Sequence, residues 1–428
     1  MPKTVYFKTL GCKVNQYETQ GMRESLIRNG FSEMDRPEEA DYCVVNSCTV
    51  THHSDRKALY YIRRFKRHNP QGKVVLTGCL THDNLTGLLK NVDVDIILPN
   101  DRKMNIAHAL LPQTPHPIKT NMEDTCRGIS SFKGHMRAFV KVQDGCNMNC
   151  SYCKVRIVRG SSRSRRLSDI RDEVRRLADN GYQEIVLTGI QIGAYGKDFK
   201  EKKGLVDLLD EILTIPLIKR VRLSSIEPFD VSRELIHSMA ITERLCPHLH
   251  IPLQSGDDQI LRLMRRPYTR IQYKELIDCL RETIPSFGLS TDVIVGFPSE
   301  DNNAFYNTLS LLEDVRPFKI HIFPFSPRAG TDAYCFENKV SSSIVKRREQ
   351  NVQQINDMLF NKMALELRGT TQNVLIEGSI NSYSSELRGR TRQYVKVLVK
   401  GDASLINTII PVTILDNGKD YLKGERIA

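Results

Sequence analysis

The 428-residue chain has no run of 18 or more apolar residues, so no membrane-spanning helix is expected. Its first residues, Met-Pro-Lys-Thr-Val-Tyr-Phe-Lys, lack the apolar core of a signal peptide, and a cytoplasmic location is the expectation. Acidic residues are in deficit. Fifty Asp and Glu stand against 62 Lys and Arg, a formal charge of +12. That balance suits a polyanionic partner, with a merely basic, soluble surface as the plainer reading. Cysteine is not scarce. Eleven of them, in a chain expected to be cytosolic, read as metal or redox chemistry rather than a disulfide framework. A hydrophobic content of 40% and a charged content of 26% are those of a globular protein. The length allows roughly two to four domains.

Three cysteines fall in one tight run, Cys146-Asn-Met-Asn-Cys150-Ser-Tyr-Cys153. Three thiolates this close can each bind one corner of a cubane iron–sulfur cluster. No fourth cysteine follows at short range, which leaves one iron open to a ligand that is not protein. An open position separates a catalytic metal site from a structural one. Structural zinc prefers four protein ligands, and no His or Cys follows at zinc-finger spacing. Zinc and inert thiols remain the competing readings.

The first hundred residues alternate short apolar runs with amphipathic segments, the pattern of an α/β domain with a parallel sheet. Strands are expected over 5–10, 42–45 and 73–76, and helices over 17–28 and 57–67. Each strand runs into a cysteine: Gly11-Cys12, Asn46-Ser47-Cys48 and Thr77-Gly78-Cys79. Loops at the carboxyl ends of parallel strands gather on one sheet edge, so these three cysteines should converge. Gly11 and Gly78 would let the backbone approach a bulky group closely. Three ordinary buried thiols are the alternative. Cys43 lies inside a strand and reads as packing. Cys126, Cys246, Cys279 and Cys335 lack ligand spacing and read as structural. His52 and His53 read as a helix start or surface.

Residues 111–135 are rich in Pro, Thr, Lys and Gly and read as a linker. Strand candidates at 138–142, 184–188, 221–224, 248–251, 292–295 and 320–323 then alternate with helices, including 167–180 and 272–283. Six βα-like units suggest a full or partial TIM-type barrel, with its active site at the strand C-termini. The cluster run follows the first of these strands. A long amphipathic helix is expected over 345–368. Beyond it, β-branched runs at 373–377, 394–399 and 409–414 suggest a small antiparallel β-barrel, an architecture that often binds oligonucleotides. The expected division is 1–112, a linker 113–135, a barrel 136–368 and a β-barrel 369–428.

With both cysteine sets placed, the chain resembles the radical S-adenosylmethionine (SAM) methylthiotransferases over nearly its whole length. The first marks are Thr9-Leu10-Gly11-Cys12-Lys13-Val14-Asn15-Gln16-Tyr17, Asn46-Ser47-Cys48-Thr49-Val50-Thr51 and Thr77-Gly78-Cys79. The cluster run and Arg159-Gly160-Ser161-Ser162-Arg163-Ser164-Arg165 follow. Later marks are Leu187-Thr188-Gly189-Ile190, Leu223-Ser224-Ser225-Ile226-Glu227-Pro228 and His250-Ile251-Pro252-Leu253-Gln254-Ser255-Gly256. The last are Asp292-Val293-Ile294-Val295-Gly296-Phe297-Pro298 and Phe325-Ser326-Pro327-Arg328-Ala329-Gly330-Thr331. The resemblance implies an N-terminal cluster domain, a radical SAM barrel and a TRAM-like RNA-binding β-barrel. It implies that Cys146, Cys150 and Cys153 hold a SAM-cleaving [4Fe-4S] cluster, and that Cys12, Cys48 and Cys79 hold an auxiliary one.

The resemblance also places SAM contacts at Thr188, Gly189, Gln191, Ser225, Glu227 and Gln254, and adenine-flanking backbone at Val293 to Gly296. Ordinary barrel packing is the alternative for each. Lys-Val-Asn-Gln-Tyr-Glu after the first cysteine resembles the branch acting on N6-threonylcarbamoyladenosine at position 37 of tRNA. The isopentenyladenosine branch typically carries Gln-Met-Asn there. The implied partners are tRNA, an electron donor and a sulfur donor. The stretch 133–176 holds 12 Lys and Arg against 4 Asp and Glu. Arg159, Arg163, Arg165 and Arg166 are its candidate phosphate contacts, and 63–67 is a second basic run. Two positions depart from the family: Arg156 stands where a proline is usual, and Arg265 where related chains often carry Asn. Rival readings are a methylthiotransferase for isopentenyladenosine tRNA or a ribosomal-protein aspartate, and a non-catalytic iron–sulfur RNA-binding or redox-sensing protein.

Overall fold

A computed structural model describes residues 2–82, 92–111, 128–381 and 385–427. Cys126 and most of the stretch read as a linker lie outside the described residues. Five parallel strands form the N-terminal sheet: β1 (Thr4–Thr9), β2 (Ser32–Glu33), β3 (Tyr42–Ser47), β4 (Lys73–Gly78) and β5 (Ile96–Ile97). Their order is β2-β1-β3-β4-β5. All six residues of β3 are buried, as a central strand covered on both faces requires. Helix α1 (Lys13–Arg28) begins directly after Cys12, four residues earlier than its apolar periodicity predicts. Its first turns bury Asn15, Glu18, Thr19 and Gln20, and buried polar groups carry no hydrophobic signal. Helix α2 (His52–His68) starts five residues early for a different reason. Thr51 caps it by accepting from the Ser54 backbone N–H, a cap the basic composition obscures.

The central region contains six parallel strands: β6 (Arg137–Lys141), β9 (Glu184–Thr188), β10 (Arg220–Leu223), β11 (His248–His250), β12 (Gly288–Val295) and β13 (Lys319–Pro324). The short strands β7 (Gln143–Asp144) and β8 (Arg163–Ser164) form a separate ribbon beside the first cluster loop. β6, β9 and β10 pair as one sheet and β11, β12 and β13 as another. Bridges at Ser225–His250 and Val221–Leu245 join the two sheets. The result is a partial barrel whose strands share one direction. Its core also takes Tyr17 from α1, and Ile129 and Phe132 from the stretch before β6. That stretch is bound in place: the Ser130 and Ser131 backbone N–H groups donate to Glu24, at 3.0 Å.

The C-terminal strands β14 (Thr371–Ser379), β15 (Glu386–Thr391), β16 (Lys396–Lys400), β17 (Ile409–Asn417) and β18 (Leu422–Arg426) close into a barrel of order β14-β15-β16-β18-β17. Tyr394, placed in a strand by sequence, instead sits in the turn before β16 with φ 77°. The long helix Ser342–Leu367 serves two cores. Val352 and Leu359 pack in the central one, Phe360 and Ala364 in the C-terminal one. No helix among the described residues is long and apolar enough to cross a membrane.

Candidate active site

The carboxyl ends of β1, β3 and β4 lie side by side, with Thr9 opposite Asn46 and Ser47 opposite Gly78. Cys12, Cys48 and Cys79 follow directly and converge. Gly11 and Gly78 make that approach possible. A Cβ on Gly11 would stand 2.7 Å from Cys48 Cβ, and one on Gly78 would stand 2.3 Å from the Ser47 carbonyl. Both have φ above 90°, a conformation only glycine adopts freely. Cys48 and Cys79 are buried while Cys12 is exposed. Burial pushes the Cys48 thiol up to about 11, and the charges of Cys79 and Cys12 add to the rise.

Cys146, Cys150 and Cys153 sit on the loop after β7. Donors already point at their sulfurs: the Met148 N–H at Cys146 and Arg266 Nη1 at Cys150, both at 3.3 Å. The Val155 N–H serves Cys153. Burial still pushes Cys153 up to about 12, so a neutral thiol gains little from these donors and a metal-bound thiolate gains much. Three thiols with donors aimed at them, and no fourth cysteine on their loop, fit a site-open cluster.

Both cysteine trios line one cavity of about 400 Å3. A buried ionic network fixes their relative position. Arg159, on the short helix Val155–Arg159, donates to Asn15 Oδ1 at 2.6 Å, Asp144 Oδ1 at 2.9 Å and Glu18 Oε1 at 3.1 Å. Lys103 and Lys141 also pair with Glu18. Burial would raise the Glu18 carboxyl, but Lys103, Lys141 and Arg159 outweigh it and hold it well below the usual range. A second clamp comes from the segment that follows β13. Arg328 donates to Thr49 Oγ1 at 2.6 Å and pairs with Asp55 at 2.7 Å, pinning the Cys48 loop.

Of the proposed SAM contacts, Gly189, Ser225, Glu227 and Gln254 line the cavity. Gln191 Oε1 lies 3.3 Å from Cys146 Sγ. Gln254 has φ 64°, a costly conformation for a non-glycine residue. Its bridge to Val293 fixes that conformation. Thr188, Val293 and Gly296 are not on the lining. Thr188 accepts from the Val142 N–H, and the Gly296 N–H donates to Glu300. Two of the four arginines offered to RNA also turn inward. Arg159 is 4% exposed within the ionic network. Arg165 binds Glu173 at 2.6 Å and Tyr17 at 3.0 Å. Carboxylates hold both, so neither is free for phosphate, whereas Arg163 and Arg166 are exposed. Sequence reading missed Arg266, which pairs with Glu227 as well as Cys150. Its only signal was its place in a motif with no assigned role.

Residues 4–99 match the model of the uncharacterized protein family UPF0004, and residues 140–312 that of the radical SAM superfamily. The threonylcarbamoyladenosine tRNA methylthiotransferase MtaB of Bacillus subtilis is 33% identical over 433 residues, 99% of this chain and 96% of that one. The chain belongs to the radical SAM methylthiotransferase family. A second relative of this methylthiotransferase is the tRNA-2-methylthio-N(6)-dimethylallyladenosine synthase of Aquifex aeolicus. It is also 33% identical, over 437 residues and 99% of each chain. Among solved structures, the radical SAM methyltransferase TsrM of Kitasatospora setae, with cobalamin and a [4Fe-4S] cluster bound, superposes with a TM-score of 0.55. It covers 87% of this chain and 81% of its own at 12% identity, which shows a shared fold. Membership of the radical SAM superfamily makes the methylthiotransferase a SAM-dependent [4Fe-4S] enzyme.

Proposed function

We propose that this methylthiotransferase adds a methylthio group at C2 of N6-threonylcarbamoyladenosine 37 in tRNA. The observation that carries this reading is the single cavity lined by both cysteine trios. Cys146, Cys150 and Cys153 would hold the SAM-cleaving cluster, and Cys12, Cys48 and Cys79 a second [4Fe-4S] cluster. These groups, when bound, supply radical hydrogen abstraction and sulfur delivery at an adenine C–H bond too strong for acid–base chemistry. The chain's own part is positioning and exclusion of water. Arg159 and Arg328 hold the two cysteine trios on a common cavity, and Glu227 and Gln254 offer polar groups to SAM. Exposed Arg56, Arg63, Arg64 and Arg67 share one face of α2 with Tyr60. That face, with Arg163 and Arg166, suits tRNA phosphates and a stacked base.

The equally similar Aquifex relative keeps isopentenyladenosine tRNA as the second reading. Nucleoside analysis of tRNA from wild-type and deletion cells separates the two. Loss of 2-methylthio-N6-threonylcarbamoyladenosine on deletion is expected. Its persistence in cells with no paralogue removes the substrate assignment. For the clusters, anaerobically purified protein should hold about eight irons per chain, against about four for one cubane. Cys12→Ala should abolish methylthiolation and keep SAM cleavage, while Cys150→Ala abolishes both. Equal loss in the two variants argues against two separable clusters.

A further inference from the structure

The half-barrel contains a second cavity, of about 350 Å3, at the small end of ligand pockets. It lies one level below the reaction cavity along the same strands. At the end of β11, His250 lines the lower cavity, and Pro252, two residues past the strand, lines the upper. On β12 the pair is Ser290 and Asp292, and on β13 it is His321 and Phe323. Asp292 belongs to the wall between them. One of its oxygens accepts from His250 Nε2 and His321 Nδ1, both at 3.1 Å. Burial would raise the Asp292 carboxyl, but the two imidazoles hold it below the usual range.

The charge of the lower cavity is one-sided. Six Lys and Arg side chains line it, against Asp420 as the one carboxylate. Arg222 is paired with Glu184, Arg390 with Glu377 and Lys396 with Asp420. The side chains of Lys13, Lys319 and Lys419 have no hydrogen bond or ion pair among the described residues. Lys13 enters from α1, one residue past Cys12. Two buried polar atoms on the lining, Ser224 Oγ and His248 Nδ1, also lack a partner; their residues are 6% and 3% exposed. The positive field is felt by neighbours. Burial, Arg222, His250 and Lys13 together hold His248 well below its usual range. His250, Asp292 and His321 place ligand atoms within 4.8 Å of one another, a span that suits a metal ion. The surrounding lysines and arginines oppose a cation and favour an anion.

We propose that this lumen receives the carboxylate at the end of the substrate's N6 side chain, with Lys13 and Lys319 as its counter-ions and the Asp292-anchored histidines at the entrance. The inference rests on the threonylcarbamoyl reading above. That side chain ends in a carboxylate, whereas an isopentenyl group is apolar and would leave both ammonium groups without a partner.

The test uses full-length, cluster-loaded protein and two anticodon stem-loop RNAs. One carries N6-threonylcarbamoyladenosine and the other its neutral methyl ester. For wild type, KM for the acid should lie about 10–100-fold below that for the ester, the difference of one or two charged hydrogen bonds. Lys13→Gln should raise KM for the acid and leave the ester nearly unchanged, so that the preference collapses, and Lys13→Arg should restore part of it. Iron content is measured alongside. If Lys13→Gln fails to load iron, Lys319→Gln, which is on β13 and away from both cysteine trios, is read the same way. Equal losses on acid and ester overturn the proposal, because they describe a phosphate contact or a damaged cluster. So does a wild type that modifies both RNAs without preference. A wild type that modifies neither RNA but accepts an isopentenyladenosine stem-loop removes the substrate reading, and the inference falls with it.

Discussion

Arg266 shows how one side chain links two parts of the site. It is 6% exposed, and its guanidinium reaches Cys150 Sγ, Glu227 and the Tyr268 hydroxyl. With a cluster on Cys150, as proposed above, a cation and an N–H donor at that thiolate would stabilise the reduced cluster, which carries more negative charge. Arg266→Lys keeps the charge but loses the fork, and Arg266→Met loses both. The reduction potential should therefore fall in the order Arg, Lys, Met, and SAM cleavage should drop about 10–100-fold, as for other groups that orient metal ligands. Redox titration followed by electron paramagnetic resonance, with 5′-deoxyadenosine counted in parallel, checks this. Unchanged potentials in both variants would remove Arg266 from the cluster's environment. The convergence of the cysteines was legible in sequence, because their spacing and strand-end positions can be read directly from it. Arg266 was not, because its role depends on a loop crossing 116 residues away in the chain. Arg265 beside it has φ 58°. That left-handed conformation suits Asn better than Arg, a physical reason for the Asn that related chains often carry there.

Among the elements, α1 decides whether the two cysteine trios face each other. Its N-cap Cys12 and, in its first turns, Lys13, Asn15, Tyr17 and Glu18 each contact something outside the N-terminal sheet or line a cavity. Glu18 is the hub, 1% exposed, with Lys103, Lys141 and Arg159 around it. Glu18→Gln leaves those buried cations without their shared charge and should cost about 3–5 kcal/mol, read by denaturant unfolding at pH 7. The pH dependence follows from the lowered Glu18 carboxyl. A depressed folded pKa contributes stability above the unfolded carboxylate range, about pH 4.3, and loses it as pH falls from there. Wild type should thus lose its advantage over Glu18→Gln on acidification. Parallel pH profiles for the two proteins would show that Glu18 is not ionised in the fold. Sequence pattern found β1, β3, β4 and the six half-barrel strands to within about four residues, since apolar runs mark them directly, and missed the edge strands β2 and β5, whose two residues each are too short to show a pattern. It missed the start of α1 because the buried face there is polar. It missed β15 and β18 because Arg388, Arg390, Lys423 and Glu425 interrupt their apolar residues.

At the scale of the whole molecule, the C-terminal barrel is keyed into the central one through Tyr394. Its ring stacks on His248 at 5.1 Å. Arg390, Arg222 and Arg137 lie over it at 4.3, 4.7 and 5.1 Å. The Arg222 guanidinium also donates to the Thr391 and Arg392 carbonyls, and Arg220 to those of Asn373 and Arg390. The lumen cavity is therefore closed from below by a residue of the C-terminal barrel, and the two units share one electrostatic site. Burial alone would raise the Tyr394 phenol, but Arg137, Lys13 and Arg390 bring it down to about 8. A folded pKa two units below the free phenol makes the phenolate the better-bound form. Its contribution is absent at pH 7, begins as pH rises through about 8, and is complete above about 10, where it reaches about 2–3 kcal/mol. The stability gap between wild type and Tyr394→Phe should widen over that interval, and absorbance at 295 nm should show one tyrosine ionising near pH 8 in wild type alone. If the gap stays constant from pH 7 to 10, the phenol does not face the arginine cluster, and the two barrels are held together by the backbone contacts of Arg220 and Arg222 instead.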